Sequence, residues 1–262
     1  MNPIIENLQN LQRIWNMAKI TIKEEFLGAK LGIFWEVIRT GVFFTIYAMF
    51  FLLIKPHTGS SVKAELNLLG LFAALLPWNL VSTVINQTPR VYYRNKILVS
   101  TIKFPLSIIP TFDIVAKYII HLVTLLIVVI IFIIYKHISF TFFEVLYYYI
   151  CLFCLLIGMM FTLSLVCSIS NDAYKFWQVI ARVFIYLNPI FWSIKDIPGI
   201  LHPILKANPF VYIFEGFKNI MAHNGHIEFG LYGLYFWCAT AVIFAIGLLF
   251  QNKLRKVLPD VL

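Results

Sequence analysis

The chain has 262 residues, of which 61% are hydrophobic and only 13% are charged, and its formal net charge is +9. A soluble domain carries about a quarter charged residues, so the composition excludes a soluble globular protein and predicts one helical membrane domain. The excess of basic residues fits either a nucleic-acid partner or cations held on the cytoplasmic side of a membrane. We favour the second explanation, and expect no nucleic-acid partner.

Residues 1–30 are polar overall, but apolar side chains recur at the spacing of one helix face. These are Ile4, Leu8, Leu11, Trp15, Ala18 and Ile22. The cations Arg13, Lys19 and Lys23 lie off that stripe. The pattern predicts an amphipathic helix in the membrane interface, with its apolar face among acyl chains and its cations near anionic headgroups. A soluble helix packed on a partner is the alternative.

Residues 31–262 are predicted to form a single transmembrane domain of six helices. We place the spans at 33–54, 66–85, 108–135, 145–168, 176–194 and 229–250. Each is close to the length of about 20 residues that a helix needs to cross a bilayer. Within the third span, the stretch from Ile119 to Ile134 reads IIHLVTLLIVVIIFII.

Six spans put both termini on one side of the membrane, and the basic residues show which side that is. The terminal side has Arg13, Lys19, Lys23, Lys30, Arg39, Arg90, Arg94, Lys96, Lys103, Lys175, Lys253, Arg255 and Lys256. The opposite side has Lys55, Lys63, Lys136, Lys195, Lys206 and Lys218. Because Lys and Arg accumulate in cytoplasmic loops, thirteen cations against six place both termini in the cytoplasm.

Residues 195–228, between the fifth and sixth spans, are rich in proline and contain a semi-apolar run from Pro209 to Met221. That run is too short to span, so we predict a re-entrant or interfacial hairpin on the outer side of the membrane. Asn188-Pro189 and Asn208-Pro209 are expected to break helices. Irregular backbone at membrane depth persists only against protein or a wet cavity, so we expect the hairpin to border a pathway.

The segment 89–105, PRVYYRNKILVSTIKFP, is bounded by prolines and mixes cations with tyrosines and aliphatic residues. It is longer than a simple reversal of the chain requires. A short amphipathic segment of this kind suits docking into a groove of another protein. A membrane-surface helix held by lipid headgroups is the alternative.

Ionisable residues inside membrane spans are costly, and each therefore needs an explanation. Asp113 and Lys117 are four residues apart in the third span, so they lie on one face of the helix. We favour mutual neutralisation, and a contact with a phosphate or a neighbouring helix stays open. Arg182, about two turns into the fifth span, can pair with Asp172 or Glu36, or receive a phosphate through its planar guanidinium.

Aromatic residues have two explanations here, because Tyr and Trp anchor membrane interfaces and aromatic faces also stack on sugars. The candidates for lining a glycan path are Tyr186, Phe191, Trp192, Phe210, Tyr212 and Phe214. Sequence alone does not separate the two roles.

The sequence contains no recognisable catalytic or metal-binding motif. The phosphate-binding pattern G-x-x-x-x-G-K-[ST] is missing, the six histidines are scattered, and Cys151-x-x-Cys154 has no second pair to complete a zinc site. We therefore predict no catalytic residue, metal site or cofactor on this chain. The energy for any energised work must therefore come from another chain. A membrane glycolipid phosphotransferase is a remote alternative, because its acidic metal-binding rim is replaced here by a basic one.

Three strings resemble the ABC-2 type polysaccharide export permeases, in particular those that export wall teichoic acid in Gram-positive bacteria. They are LGIFWEVIRTGVFFTIYAMFF at 31–51, KFPLSIIPTFDIV at 103–115, and residues 182–221 with their two Asn-Pro pairs. The resemblance implies a homodimer in the bacterial cytoplasmic membrane, bound to two copies of a cytoplasmic ABC ATPase that uses ATP and Mg²⁺. That assembly moves an undecaprenyl-diphosphate-linked polymer to the outer leaflet.

Carried over by position, residues 90–103 hold the main coupling helix for the ATPase and residues 171–175 a shorter second contact. The coupling candidates are Arg90, Tyr92, Tyr93, Arg94, Asn95, Lys96, Asn171 and Asp172. Arg182, Lys117 and Asp113 are candidates for the charges around the diphosphate headgroup. An O-antigen or capsular polysaccharide exporter, or a small-molecule ABC-2 exporter, is the alternative.

Overall fold

A computed structural model describes residues 3–54, 61–100, 104–136, 142–194, 197–223, 225–254 and 257–258. These residues are helices and short connections, with no strand among them. The predicted all-α membrane fold is thereby confirmed. Parts of two predicted features lie outside the described residues, namely 101–103 of the coupling segment and 195–196 and 224 of the hairpin.

The helices follow one another along the chain with short connections. In order they are α1 Pro3–Gln9, α2 Leu11–Glu25, α3 Phe34–Ile54, α4 Ser61–Gln87, α5 Val91–Arg94, α6 Lys96–Ser100, α7 Ile108–Lys136, α8 Phe142–Ile169, α9 Asn171–Leu187, α10 His202–Lys206, α11 Pro209–His223 and α12 Leu231–Leu254. Two 3₁₀ turns, Thr88–Arg90 and Gly199–Leu201, precede α5 and α10.

Four helical segments of the described chain are long and apolar enough to cross a bilayer. They are Leu68–Arg94, Ile108–Ile134, Phe143–Ile169 and Leu231–Lys253. They coincide with the second, third, fourth and sixth predicted spans. The first predicted span lies on α3, which has 21 residues.

The fifth predicted span, 176–194, differs from the helix that the structure contains. Helix α9 begins at Asn171, where the Ser170 side chain caps it by accepting a hydrogen bond of 3.2 Å from the amide of Ala173. It ends at Leu187, because the residue before Pro189 adopts an extended conformation. Its 17 residues make it about 25 Å long, at 1.5 Å per residue.

Helix α8 lies at the centre of the main apolar core and packs most extensively on α12. The two backbones come close because glycines face each other. A Cβ on Gly247 would lie 2.7 Å from the carbonyl oxygen of Gly158, and one on Gly158 would lie 3.1 Å from the Cα of Phe244. Small residues allow this close approach between membrane helices, where packing replaces the hydrophobic effect as the driving force.

Within the predicted outward hairpin, helix α11 is packed inside the protein, whereas residues 198–207 are mostly exposed. Helix α11 contacts α4 and α8, which shields its backbone from lipid. The two Asn-Pro corners are joined, since the Asn208 side-chain amide donates a hydrogen bond of 3.0 Å to Oδ1 of Asn188. The Lys218 ammonium donates a bond of 2.8 Å to the carbonyl of Trp192 and closes the other end of the loop.

The predicted apolar stripe of α2 is divided in the structure, because one part of it is buried and the adjoining part is exposed. Ile14 and Ala18 are buried in a second apolar cluster with the start of α7, whereas Leu11 and Trp15 are exposed. After Glu25 the chain turns through Gly28 and Gly32, both at positive φ, before α3 begins. Helix α2 is therefore attached to the bundle on one side and free on the other.

Candidate coupling site and substrate path

The predicted coupling segment is a 3₁₀ turn followed by two short helices, α5 and α6. Its inner side is buried, with Val91, Tyr92 and Val99 in the second apolar cluster. Its outer side exposes Tyr93, Lys96 and Ile97, the last with 76% of its surface accessible. An exposed isoleucine beside a lysine is suited to a groove on a partner, whereas Tyr92 is a core residue and is no longer a docking candidate.

Asp113 is the anchor of this segment. The Thr88 hydroxyl donates to its Oδ2 at 2.7 Å, the Arg94 guanidinium to its Oδ1 at 2.7 Å, and the Lys117 ammonium also to Oδ2. The carboxylate is only 2% exposed, so it needs these partners to compensate for its lost hydration. The sequence predicted the Asp113–Lys117 pair but missed Thr88 and Arg94.

This network argues against Lys117 and Asp113 as headgroup ligands. Lys117 is 4% exposed and is already paired with a carboxylate. A small pocket beside it is also lined by Glu25, Glu36 and His121. A diphosphate entering that pocket would meet two further carboxyl groups, which repel it.

Arg90 joins the two predicted coupling contacts. Its guanidinium donates a hydrogen bond to Oδ1 of Asn171, the first residue of α9. Its planar group also stacks on Tyr93 and Tyr174, at 4.9 and 4.3 Å from the ring centroids. A displacement of the coupling segment is therefore passed directly to α9. Asn95 instead bonds back to its own segment, at the carbonyl of Val91.

A second link connects α9 to the end of α4, which leads into the coupling segment. The indole Nε1 of Trp177 donates a hydrogen bond of 2.7 Å to the carbonyl of Ile85. Asp172, the other predicted coupling residue on α9, is exposed in its first turn.

Arg182 is exposed on the outer side of α9. It shares that side with exposed apolar residues, namely Phe176, Val179, Val183, Tyr186 and Leu187. Within the described part of the chain, no contact joins Arg182 to Asp172, Glu36, Asp113 or Lys117. A cation among exposed apolar side chains points to a charged ligand or a second protein surface.

The aromatic candidates divide into exposed and buried groups. Phe210, Tyr212 and Phe214 are buried in the main core, which argues against the predicted glycan path for these three residues. Tyr186 is 68% exposed, and Phe191 and Trp192 are half-buried.

The remaining aromatics form a surface with a residue that sequence reasoning missed. The ring of Phe191 stacks on Tyr47 of α3 at 5.1 Å and lies 6.3 Å from Tyr186. This aromatic surface of Tyr47, Phe191 and Tyr186 bridges α3 and α9. It lies four residues, about one helical turn, from Arg182 along α9.

His, Cys, Asp and Glu side chains do not gather in threes anywhere in the described ranges. The nearest approach to such a site is the pair formed by Nδ1 of His226 and Oε1 of Glu144, 3.0 Å apart. Cys151 and Cys167 are buried in the apolar core, as small apolar side chains are.

Comparison with known proteins supports the transport interpretation of this geometry. The family model described as "ABC-2 type transporter" matches residues 12–222, which include the coupling segment, the Asp113 network and α9. No curated protein is significantly similar to the chain in sequence. With more than two thirds of its length matched, the chain belongs to the ABC-2 type transporter family, as the membrane-spanning permease component.

Proposed function

We propose that this permease exports undecaprenyl-diphosphate-linked wall teichoic acid, or a similar glycopolymer, across the bacterial cytoplasmic membrane. The observation that carries the proposal is the outer side of α9, where Arg182 lies about one turn from the aromatic surface of Tyr47, Phe191 and Tyr186. A planar cation suits a diphosphate, and aromatic rings suit the sugars attached to it. The apolar residues between them suit a polyprenyl tail.

In this mechanism the chain works as a homodimer with two cytoplasmic ATPase subunits, and both termini are cytoplasmic. ATP-driven closure of the ATPase subunits displaces the exposed side of the coupling segment. Arg90 transmits this displacement to α9, and Asp113 transmits it to α7. The movement of α9 changes the position of Arg182 and of the aromatic surface relative to the second copy. The headgroup then crosses beside α9 while its tail stays in lipid.

Arg182 provides the sharpest test of the substrate. We would purify the complex with its ATPase subunit and measure ATPase activity with and without lipid-linked teichoic acid. Arg182→Ala should abolish the stimulation by substrate and leave the basal rate, whereas Arg182→Lys should retain part of it, because the charge remains without the planar fork. Lys253→Ala, at the end of α12, is the control.

Three outcomes separate the alternatives. Unchanged stimulation in Arg182→Ala would remove Arg182 from the path. Stimulation by O-antigen or capsular intermediates, but not by teichoic acid, would reassign the polymer. Stimulation by small amphiphiles alone would make the chain a small-molecule exporter.

The partner interaction has its own test on the exposed side of the coupling segment. Lys96→Glu with Ile97→Asp should prevent copurification of a Walker-motif ATPase subunit, because both side chains are exposed on the outer side of the segment. Arg94→Glu is unsuitable, since it would place a carboxylate against the buried Asp113. Ile200→Asp, on the exposed part of the hairpin, is the matched control. Retention of the ATPase by the Lys96/Ile97 variant would contradict the docking site.

A further inference from the structure

The amino-terminal helices share an apolar cluster with the coupling segment. Ile14 and Ala18 of α2 lie in the same cluster as Val91, Tyr92 and Val99. Helix α2 packs along α7, immediately after the coupling segment. The start of α7 therefore connects the amino-terminal helices with the inner side of the segment proposed to meet the ATPase.

A buried hydrogen-bond group fixes α1 to the same place. The Ser107 hydroxyl donates to Oε2 of Glu6 at 2.6 Å, and the Asn7 side-chain amide donates to the Ser107 hydroxyl at 3.2 Å. Ser107 is fully buried and lies between the coupling segment and the first residue of α7. Movement of α1 should therefore move the connection between the end of the coupling segment and the start of α7.

These helices also have an exposed apolar surface with cations near it. Its apolar residues are Ile4, Ile5, Leu8, Leu11 and Trp15. Arg13, Lys19 and Lys23 are exposed beside them, and the Lys19 ammonium lies 5.0 Å from the Trp15 ring centroid. Apolar side chains, a tryptophan and basic residues together suit a membrane surface that carries anionic lipids.

A lipid surface fits this side better than the groove of a soluble protein. The exposed apolar surface continues into the first turns of α3, through Phe34, Trp35 and Ile38. Helix α3 has the length and composition of a membrane helix, so the neighbouring surface lies at the level of the headgroups.

We propose that α1 and α2 bind anionic lipid headgroups through this exposed surface, and that the Glu6–Ser107 bond and the Ile14–Ala18 contacts pass that binding to the coupling segment. Anionic lipid then sets how effectively ATP hydrolysis is coupled to the permease. This inference rests on the proposed function, because it assumes that a partner ATPase docks on the coupling segment.

The experiment uses the whole permease–ATPase complex in phosphatidylcholine nanodiscs with increasing fractions of phosphatidylglycerol. ATPase activity without transport substrate should rise by about fivefold or more, the lower end of typical coupling between distant sites. Soluble glycerol phosphate added to nanodiscs of phosphatidylcholine alone should not reproduce the increase. Activation by the soluble anion would overturn the lipid surface in favour of a free phosphate site.

Two sets of variants test the surface and its connection. Arg13→Gln, Lys19→Gln and Lys23→Gln combined should require more phosphatidylglycerol for the same activity, whereas Lys253→Gln should leave the dependence unchanged. Ser107→Ala should remove the dependence of ATPase activity on phosphatidylglycerol. The ratio of activities with and without this lipid should then fall from about fivefold or more to about one. Glu6→Gln retains an acceptor oxygen and should keep the response.

A flat response of the unaltered complex would overturn the inference, as would a triple variant that follows the original curve. Because the triple variant changes only exposed residues, it remains informative even where Ser107→Ala fails to fold. Different results would reject the proposed export function and the proposed lipid regulation. No copurifying ATPase would reject the proposed function itself. A complex that hydrolyses ATP and responds to its polymer, but not to anionic lipid, would reject only the lipid regulation.

Discussion

Replacing Asp113 with asparagine tests the anchor of the coupling segment. The substitution preserves the shape of the side chain but removes a buried negative charge that faces Lys117 and Arg94. Lys117 then remains buried without its ion-pair partner, beside the small pocket that Glu25 and Glu36 line. Arg94 has 42% of its side chain exposed and can turn towards water. The loss of stability should therefore come mainly from Lys117.

The size of the loss follows from this difference in burial. Removing one partner of a buried ion pair costs about 3–5 kcal/mol, because the remaining charge is left without hydration or a counter-ion. An exposed pair is worth about 0–1 kcal/mol. We expect Asp113→Asn to cost about 3 kcal/mol or more, and Arg94→Gln to cost about 1 kcal/mol or less.

A double variant separates the charge effect from general disruption. Replacing a buried ion pair by apolar residues is often nearly neutral, so Asp113→Asn with Lys117→Met should regain most of the stability lost by Asp113→Asn alone. The free energy of unfolding would be measured by titration with SDS in mixed micelles. Equal losses in the single and double variants would refute the idea that the carboxylate serves to neutralise Lys117.

Two further predictions concern contacts between helices. Gly247→Ala should destabilise the protein by about 1–3 kcal/mol, because the new Cβ would lie 2.7 Å from the Gly158 carbonyl oxygen. Gly41→Ala is the control, since open space surrounds Gly41, and it should be neutral or stabilising. Both variants would be compared with the unaltered protein by thermal unfolding. Trp177→Phe removes the donor to the Ile85 carbonyl and should cost about 1 kcal/mol. Equal melting temperatures for the two alanine variants, or an unchanged one for Trp177→Phe, would contradict these packing arguments.

Sequence periodicity and hydropathy located most membrane helices, because the thickness of the bilayer imposes the length of any helix that crosses it. The 108–135 span ends one residue before α7 does. The error at α9 arose because apolar residues continue past Asn188-Pro189, so hydropathy extended the span although the helix-breaking dipeptide was recognised. At that position the backbone restriction from proline outweighs hydropathy.

The candidate site was only partly predictable, and the reason is physical. The Asp113–Lys117 pair follows from helical spacing, whereas Arg94 and Thr88 reach Asp113 only through the tertiary fold. Burial of Tyr212 could not be predicted, because both the lipid-facing and the protein-facing sides of a membrane helix are apolar. In water, polarity distinguishes the two sides of a helix. In a bilayer it does not.

The shortness of α9 has a consequence for the surrounding lipid. At about 25 Å it is about 5 Å shorter than the hydrocarbon core of a typical bilayer. In the proposed arrangement, in which α9 crosses the bilayer, we expect acyl chains against its apolar outer side to compress, a hydrophobic mismatch that thins the membrane locally. A charged headgroup meets its lowest dielectric barrier where the hydrocarbon is thinnest. The same proline that ends the helix thus also sets the height of that barrier, and activity measured in bilayers of increasing acyl-chain length should decline accordingly.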